Sequence, residues 1–213
     1  MDSPFLFNGP EDAPLTIVLA HGAGAPMDSA FMVAFAEGLA ERGQRVARFE
    51  FPYMIKRRET GTKRPPDRAP VLLQTWLDVI KALGGPDRLI IGGKSMGGRI
   101  ASMIAGELET EGTPLRGLAC LGYPFHAPGR PEKVRTEHLA SFRTPALFLQ
   151  GTRDSLGSRD DVAGYTLSSA ITMHWLEDGD HGFKPRVKSG RTETQNWTEA
   201  IGALAAFTET HAR

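Results

Sequence analysis

The chain predicts an α/β protein: a single domain with a mainly parallel sheet of about six or seven strands flanked by helices. Three observations carry this expectation. Short apolar runs alternate with longer stretches of helical spacing along most of the chain. The apolar runs are nearly continuous rather than alternating, which suits strands buried on both faces. The 213 residues show no linker, repeat or low-complexity tract, and that length suits one domain with a substantial core.

The elements follow in order. "LTIVLA" (15–20) reads as a buried strand ending at His21-Gly22. Residues 28–42 have helical spacing, with Asp28 or Ser29 as N-cap and Gly43 as the stop. "RVARFEF" (45–51) is a second strand, and 69–84 a second helix ending at Gly84-Gly85-Pro86. "RLIIGG" is the third strand and "MGGRIASMIAGELE" the third helix. Strands four, five and six are "LRGLACLG" (115–122), "PALFLQG" (145–151) and "ITMHWLE" (171–177), and a last helix covers about 193–210. The segment 56–68 is charge-rich and reads as irregular. Right-handed crossovers put all the parallel strand C-termini on one edge, where active residues of such sheets sit.

Composition excludes some classes of function. Lys plus Arg and Asp plus Glu balance at 25 each, which argues against a protein built mainly to bind nucleic acid or an anionic membrane. No apolar run approaches the ~18 residues a transmembrane helix needs. The N-terminus lacks the basic and apolar regions of a signal peptide, and a single cysteine, Cys120, cannot form an internal disulfide. A cytoplasmic location is the expectation. Cys120 sits in the run "LACLGY" and reads as a small buried hydrophobe. Metal-ligand spacings are absent, so no metal or organic cofactor is expected.

The most informative stretch is "RLIIGGKSMGGRIASMIAG" (88–106). Gly93-Lys94-Ser95 matches the end of a phosphate-binding loop, but that loop's first glycine would fall at Arg88, and Leu89–Ile91 look like strand interior. A G-x-S-x-G elbow fits better: Gly93 and Gly97 flank Ser95 on a sharp turn between strand and helix. The five-letter pattern is weak alone, since a glycine-rich turn that merely packs closely would look the same. Its downstream context strengthens it. An elbow serine needs an acid and then a histidine. Asp154 follows the fifth strand in "LQGTRD", and His181 follows the sixth in "LEDGDHGF". Asp178 and Asp180 are rival acids, but they share a short loop with His181. An oxyanion hole needs two backbone N–H groups, expected from Met96 after the serine and Ala23 in "HGAGAP". Tyr53, Tyr123, Phe125 and His126 follow strand ends and are expected to line a substrate pocket.

Together, "LAHGAG", "GGKSMGGR", "LQGTRD" and "DGDHGF" resemble a serine α/β-hydrolase, and more narrowly a small lidless branch described as dienelactone-hydrolase-like, which includes relatives of the testis-expressed α/β-hydrolases. The resemblance runs from about residue 14 to the C-terminus. It implies a single-domain α/β-hydrolase fold (1–13 as an N-terminal extension) and a Ser95–Asp154–His181 triad. The chain departs from the pattern twice. The two leading strands of the full fold look missing or vestigial, and dienelactone hydrolases proper use cysteine where this chain has Ser95. The expected activity is hydrolysis of small carboxylic esters or thioesters. The alternatives are acyl transfer or peptide cleavage by the same residues, or a binding module without catalysis. The connection after the fourth strand is too short for a large lid. The basic segment with Lys56, Arg57, Arg58, Lys63 and Arg64 would, if it faces the site, attract anionic substrates.

Overall fold

Residues 4–212 of the protein are described by a computed structural model. The first half contains β1 (Leu6–Asn8), β2 (Thr16–Ala20), α1 (Ala30–Ala40), β3 (Arg45–Phe49), α2 (Pro52–Thr60) and α3 (Ala69–Ala82). Then come β4 (Leu89–Lys94), α4 (Met96–Thr110), β5 (Gly117–Leu121), and the short strands β6 (His126–Ala127) and β7 (Arg130–Val134). The chain closes with β8 (Ala146–Gly151), α5 (Arg159–Ala163), β9 (Ile171–Leu176) and α6 (Glu193–His211).

Seven strands form the main sheet in the order β1-β3-β2-β4-β5-β8-β9. All neighbours pair parallel except β1, which runs antiparallel to β3. The pleat sorts the apolar runs between two cores. Val18, Ile91, Leu118 and Phe148 enter one core with Trp76 of α3 and Ile104 of α4. Ile17, Ile90, Leu121 and Leu149 enter the other with Phe35 of α1 and Leu204 of α6. Both faces are therefore dry, which is why the strands read as unbroken apolar runs.

Two details differ from the sequence expectation, and a third fits it. The 1–13 extension contributes β1 to the sheet edge; three half-exposed residues are too few to show a period. The first half of the 56–68 segment belongs to α2. Its caps were visible in the sequence, Pro52 at the start and Gly61 (φ 67°) at the end, but its charged surface hid any apolar stripe. The connection after β5 holds the β6–β7 hairpin and a single 3₁₀ turn at Glu137–Leu139.

After β2 the chain turns to β3 on one side, and then crosses to β4 on the other. The crevice beyond the C-termini of β2 and β4 is thus the switch point of the sheet, the usual ligand site of such folds.

Candidate active site

Ser95 stands at that switch point. It follows β4 directly, caps α4, and has φ 52° and ψ −115°. A non-glycine residue held there costs on the order of 1–3 kcal/mol, so the surroundings must impose it. They do so by close approach. A Cβ on Gly93 would lie 2.2 Å from the Ala20 carbonyl oxygen, and one on Gly97 would lie 2.5 Å from the same atom. Only hydrogen fits at either position, so the strand-to-helix turn can press against β2. Ser95 N–H then donates to the Leu121 carbonyl of β5 at 3.0 Å.

The Ser95 hydroxyl lies 2.8 Å from His181 Nε2, and His181 Nδ1 lies 2.8 Å from Asp154 Oδ2. A carboxylate accepts, so Nδ1 carries the proton and Nε2 faces the serine as an acceptor. Asp154 is fully buried while the His181 side chain is 30% exposed. The acid is thus shielded, and the histidine is open to an incoming molecule. The buried carboxylate is well satisfied: Oδ2 also accepts from Gln150 Nε2 (2.9 Å) and Oδ1 from Leu156 N–H (2.8 Å). The rival acids are engaged elsewhere. Hydrogen bonds from Arg186, with help from Arg153, hold Asp178 down to about 2, and Asp180 Oδ1 accepts from the Gly182 and Lys184 amides.

The loop carrying His181 is fastened through its carbonyls. Lys94 Nζ donates to the His181 oxygen. Trp197 Nε1 donates to Gly182 O (3.0 Å), and Asn196 Nδ2 donates to Phe183 O (2.7 Å) and Glu177 O (3.2 Å). The Lys94 ammonium also lies over the rings of Phe31 (5.3 Å) and Phe183 (5.5 Å). Burial lowers its pKa to about 8, against the opposing pull of Asp154 and Asp180.

The loop after β2 is held in the same way. His21 Nε2 accepts the Phe51 N–H at 3.1 Å, so its Nδ1–H donates to Gly22 O at 2.7 Å. Burial pushes the His21 pKa down, which keeps this neutral tautomer. Tyr53 Oη reaches Gly22 O (3.3 Å) and Ala23 O (3.1 Å), and Arg57 reaches Gly24 O (3.1 Å). Met96 is the first residue of α4, so its N–H has no intrahelical acceptor. No acceptor for the Ala23 N–H is seen among the described residues.

The expected pocket residues are placed differently. Tyr53, Tyr123, Phe125 and His126 are all buried. Tyr123 and Phe125 pack on each other and on Phe148, inside the core. His126 Nδ1 lies 3.1 Å from the adjacent Ala127 carbonyl. They were expected at the pocket because they follow strand ends, but Tyr53 is engaged with the loop after β2, and Arg135, just after β7, bonds to Tyr123 and Phe125. Arg58 pairs with Asp28 and Glu50, which binds it to structure rather than to a ligand. Residues that sequence reasoning did not single out are Gln150, Asn196, Trp197 and, as an anchor, Lys94. Gln150 had one signal, its place four residues before Asp154; the two α6 residues had none.

A family model described as "Alpha/beta hydrolase domain" matches residues 13–209. The chain belongs to the alpha/beta hydrolase domain family. Several solved structures superpose over nearly their full length. Est1E from Butyrivibrio proteoclasticus has a TM-score of 0.68 at 13% identity, covering 97% of this chain and 94% of that one. The Paleococcus ferrophilus monoacylglycerol lipase has a TM-score of 0.69 at 16% identity, covering 99% and 100%. The thioesterase domain from the curacin biosynthetic pathway has a TM-score of 0.64 at 14% identity, covering 97% and 94%. At these identities the likeness speaks for the fold. Among its described residues, this α/β-hydrolase has no helix long and apolar enough to cross a membrane.

Proposed function

We propose that the protein is a serine hydrolase that cleaves small carboxylic esters or thioesters through an acyl-enzyme. One observation carries this reading: the unbroken hydrogen-bonded chain from Asp154 through His181 to a serine on a strained elbow. In the first half-reaction His181 Nε2 takes the Ser95 proton as Oγ attacks the acyl carbon. Asp154 keeps the tautomer and stabilises the imidazolium. The N–H groups of Ala23 and Met96 receive the developing oxyanion, with the N-terminus of α4 adding its dipole. His181 then protonates the departing alkoxide or thiolate. Water repeats the sequence in reverse and frees the carboxylic acid and Ser95. This chemistry uses only the chain's own residues.

The short β6–β7 hairpin in place of a helical lid favours small or exposed acyl groups, consistent with the resemblance to the lidless dienelactone-hydrolase-like branch. The test is labelling by a fluorophosphonate probe together with hydrolysis of activated short-chain esters and thioesters. Wild type should label and turn over. Ser95→Ala should not label, and its kcat should fall at least ~1,000-fold. Equal activity of the two proteins would overturn the assignment.

A further inference from the structure

A cavity lies along α4, and its lining includes none of Ser95, Asp154 and His181. It has a volume of about 630 Å³ and runs between α4 and the segment that follows β7. That size suits a small-molecule ligand. Its two ends differ in charge. Arg99, Arg135 and His138 line one end; Glu107 and Glu111 line the other, some 12 Å further along α4 by helical rise. Of the remaining acids on its wall, Glu109 is occupied by Arg143 and Thr144, and Glu137 flanks His138.

The basic end is electrostatically uncompensated. Arg99 and Arg135 are mutually repulsive, and Arg99 also opposes a charge on His138. Neither guanidinium forms an ion pair with a carboxylate among the described residues. Arg99 Nε is shielded from solvent and has no acceptor among them. A shielded guanidinium N–H without an acceptor is costly, and like charges at close range add to the cost. The surroundings nevertheless fix both residues. The Arg99 amide donates to Ser95 O at 3.0 Å, and its carbonyl accepts from Ser102 Oγ at 2.7 Å. The hydroxyl proton of Ser102 is thereby used, so Ser102 accepts from His138 Nε2–H at 2.8 Å. Arg135 is tied to the segment between β5 and β6, its N–H to Phe125 O (2.8 Å) and its carbonyl to Tyr123 Oη (2.9 Å).

We propose that this end of the cavity is an anion-binding subsite, which takes a carboxylate or phosphate group of a small ligand between Arg99 and Arg135. The planar N–H forks of arginine match both groups. One turn of α4 separates Arg99 from Ser95, so the anion is either part of an acyl substrate that extends to Ser95 or a separate ligand. Binding of the anion does not depend on the hydrolase reading; its use in choosing a substrate does.

Inorganic phosphate and succinate, titrated calorimetrically into the intact protein at low ionic strength, test the subsite. Potassium chloride at matched ionic strength is the control. Saturable binding is expected for wild type, at least tenfold weaker in Arg99→Met and in Arg135→Met, and partly kept in Arg99→Lys. Arg135→Met should also unfold at an equal or higher temperature than wild type without ligand, because a repulsion is gone. Arg135 lies on the segment outside α4 and carries the test if Arg99→Met fails to fold. No binding to wild type, or equal binding to Arg135→Met, would overturn the proposal. A kinetic arm identifies the source of the anion. If nitrophenyl hydrogen succinate has a lower KM than neutral nitrophenyl butyrate in wild type but not in Arg135→Met, the anion belongs to the substrate. If phosphate binds but the two KM values keep their ratio in the variant, the subsite takes a free anion. Phosphate binding by Ser95→Ala would stand even if the hydrolase reading failed.

Discussion

Tyr53 illustrates how one residue can brace the loop after β2. Its ring is buried against His21, and its hydroxyl is within reach of the Gly22 and Ala23 carbonyls. Burial raises the phenol's pKa, so it remains a donor throughout the physiological range. Holding those carbonyls fixes the peptide planes whose N–H groups lie on the opposite side. Tyr53→Phe should therefore lower kcat by about 5- to 10-fold with KM nearly unchanged, and lower stability by about 1 kcal/mol. Steady-state kinetics on a short-chain ester and a denaturant titration check both. A change confined to KM would instead make Tyr53 a substrate contact, the role its place after a strand end suggested.

Helix α6 acts as the frame for the loop between β9 and α6. Asn196 is buried, and its amide nitrogen meets the carbonyls of Glu177 and Phe183 on either side of His181. Asn196→Ala should leave both carbonyls unpaired and cost about 2–3 kcal/mol, a fall of roughly 5–10 °C in melting temperature for a chain of this size. Differential scanning fluorimetry reads this directly. The sequence pointed to Ser95, Asp154 and His181, which the fold joins by hydrogen bonds, because each lies within a few residues of a strand end, and strand order is a local pattern. It did not disclose α6 as a frame, because Asn196 and His181 meet only through the tertiary fold. The burial of Tyr53, Tyr123 and Phe125 was not legible for a related reason: position after a strand end fixes the edge of the sheet but not what packs against the side chain. The β1 strand and helix α2 were missed for lack of length and of an apolar stripe.

At the scale of the molecule, zero formal net charge conceals positive charges placed at an electrostatic cost, Lys94 among them. The Lys94 pKa of about 8 lies below the ~10.4 of an unfolded lysine. Between those values the unfolded chain holds the proton and the folded chain does not, so this group makes stability rise with pH. Below pH 8 the penalty is complete and constant. Buried Tyr53, Tyr123 and Cys120, whose pKa values are raised, act in the opposite sense at alkaline pH. The comparison must therefore be with Lys94→Met, in which those contributions cancel. Wild type should gain about 1–3 kcal/mol relative to the variant between pH 8 and 10, by chemical denaturation at each pH. Activity of Lys94→Met at pH 7 should fall, because the His181 carbonyl loses its anchor.

The scatter of the site along the chain also orders events in time. During synthesis, Ser95 and its elbow emerge well before Asp154, and Asp154 before His181. Even a chain that has reached His181 still lacks Asn196 and Trp197, which hold the histidine's loop in place. Until α6 has formed and docked, the serine is an ordinary hydroxyl with no base aligned to it. On the proposed mechanism, a growing or half-folded chain is thus chemically harmless to the esters around it, and reactivity arrives together with the finished fold.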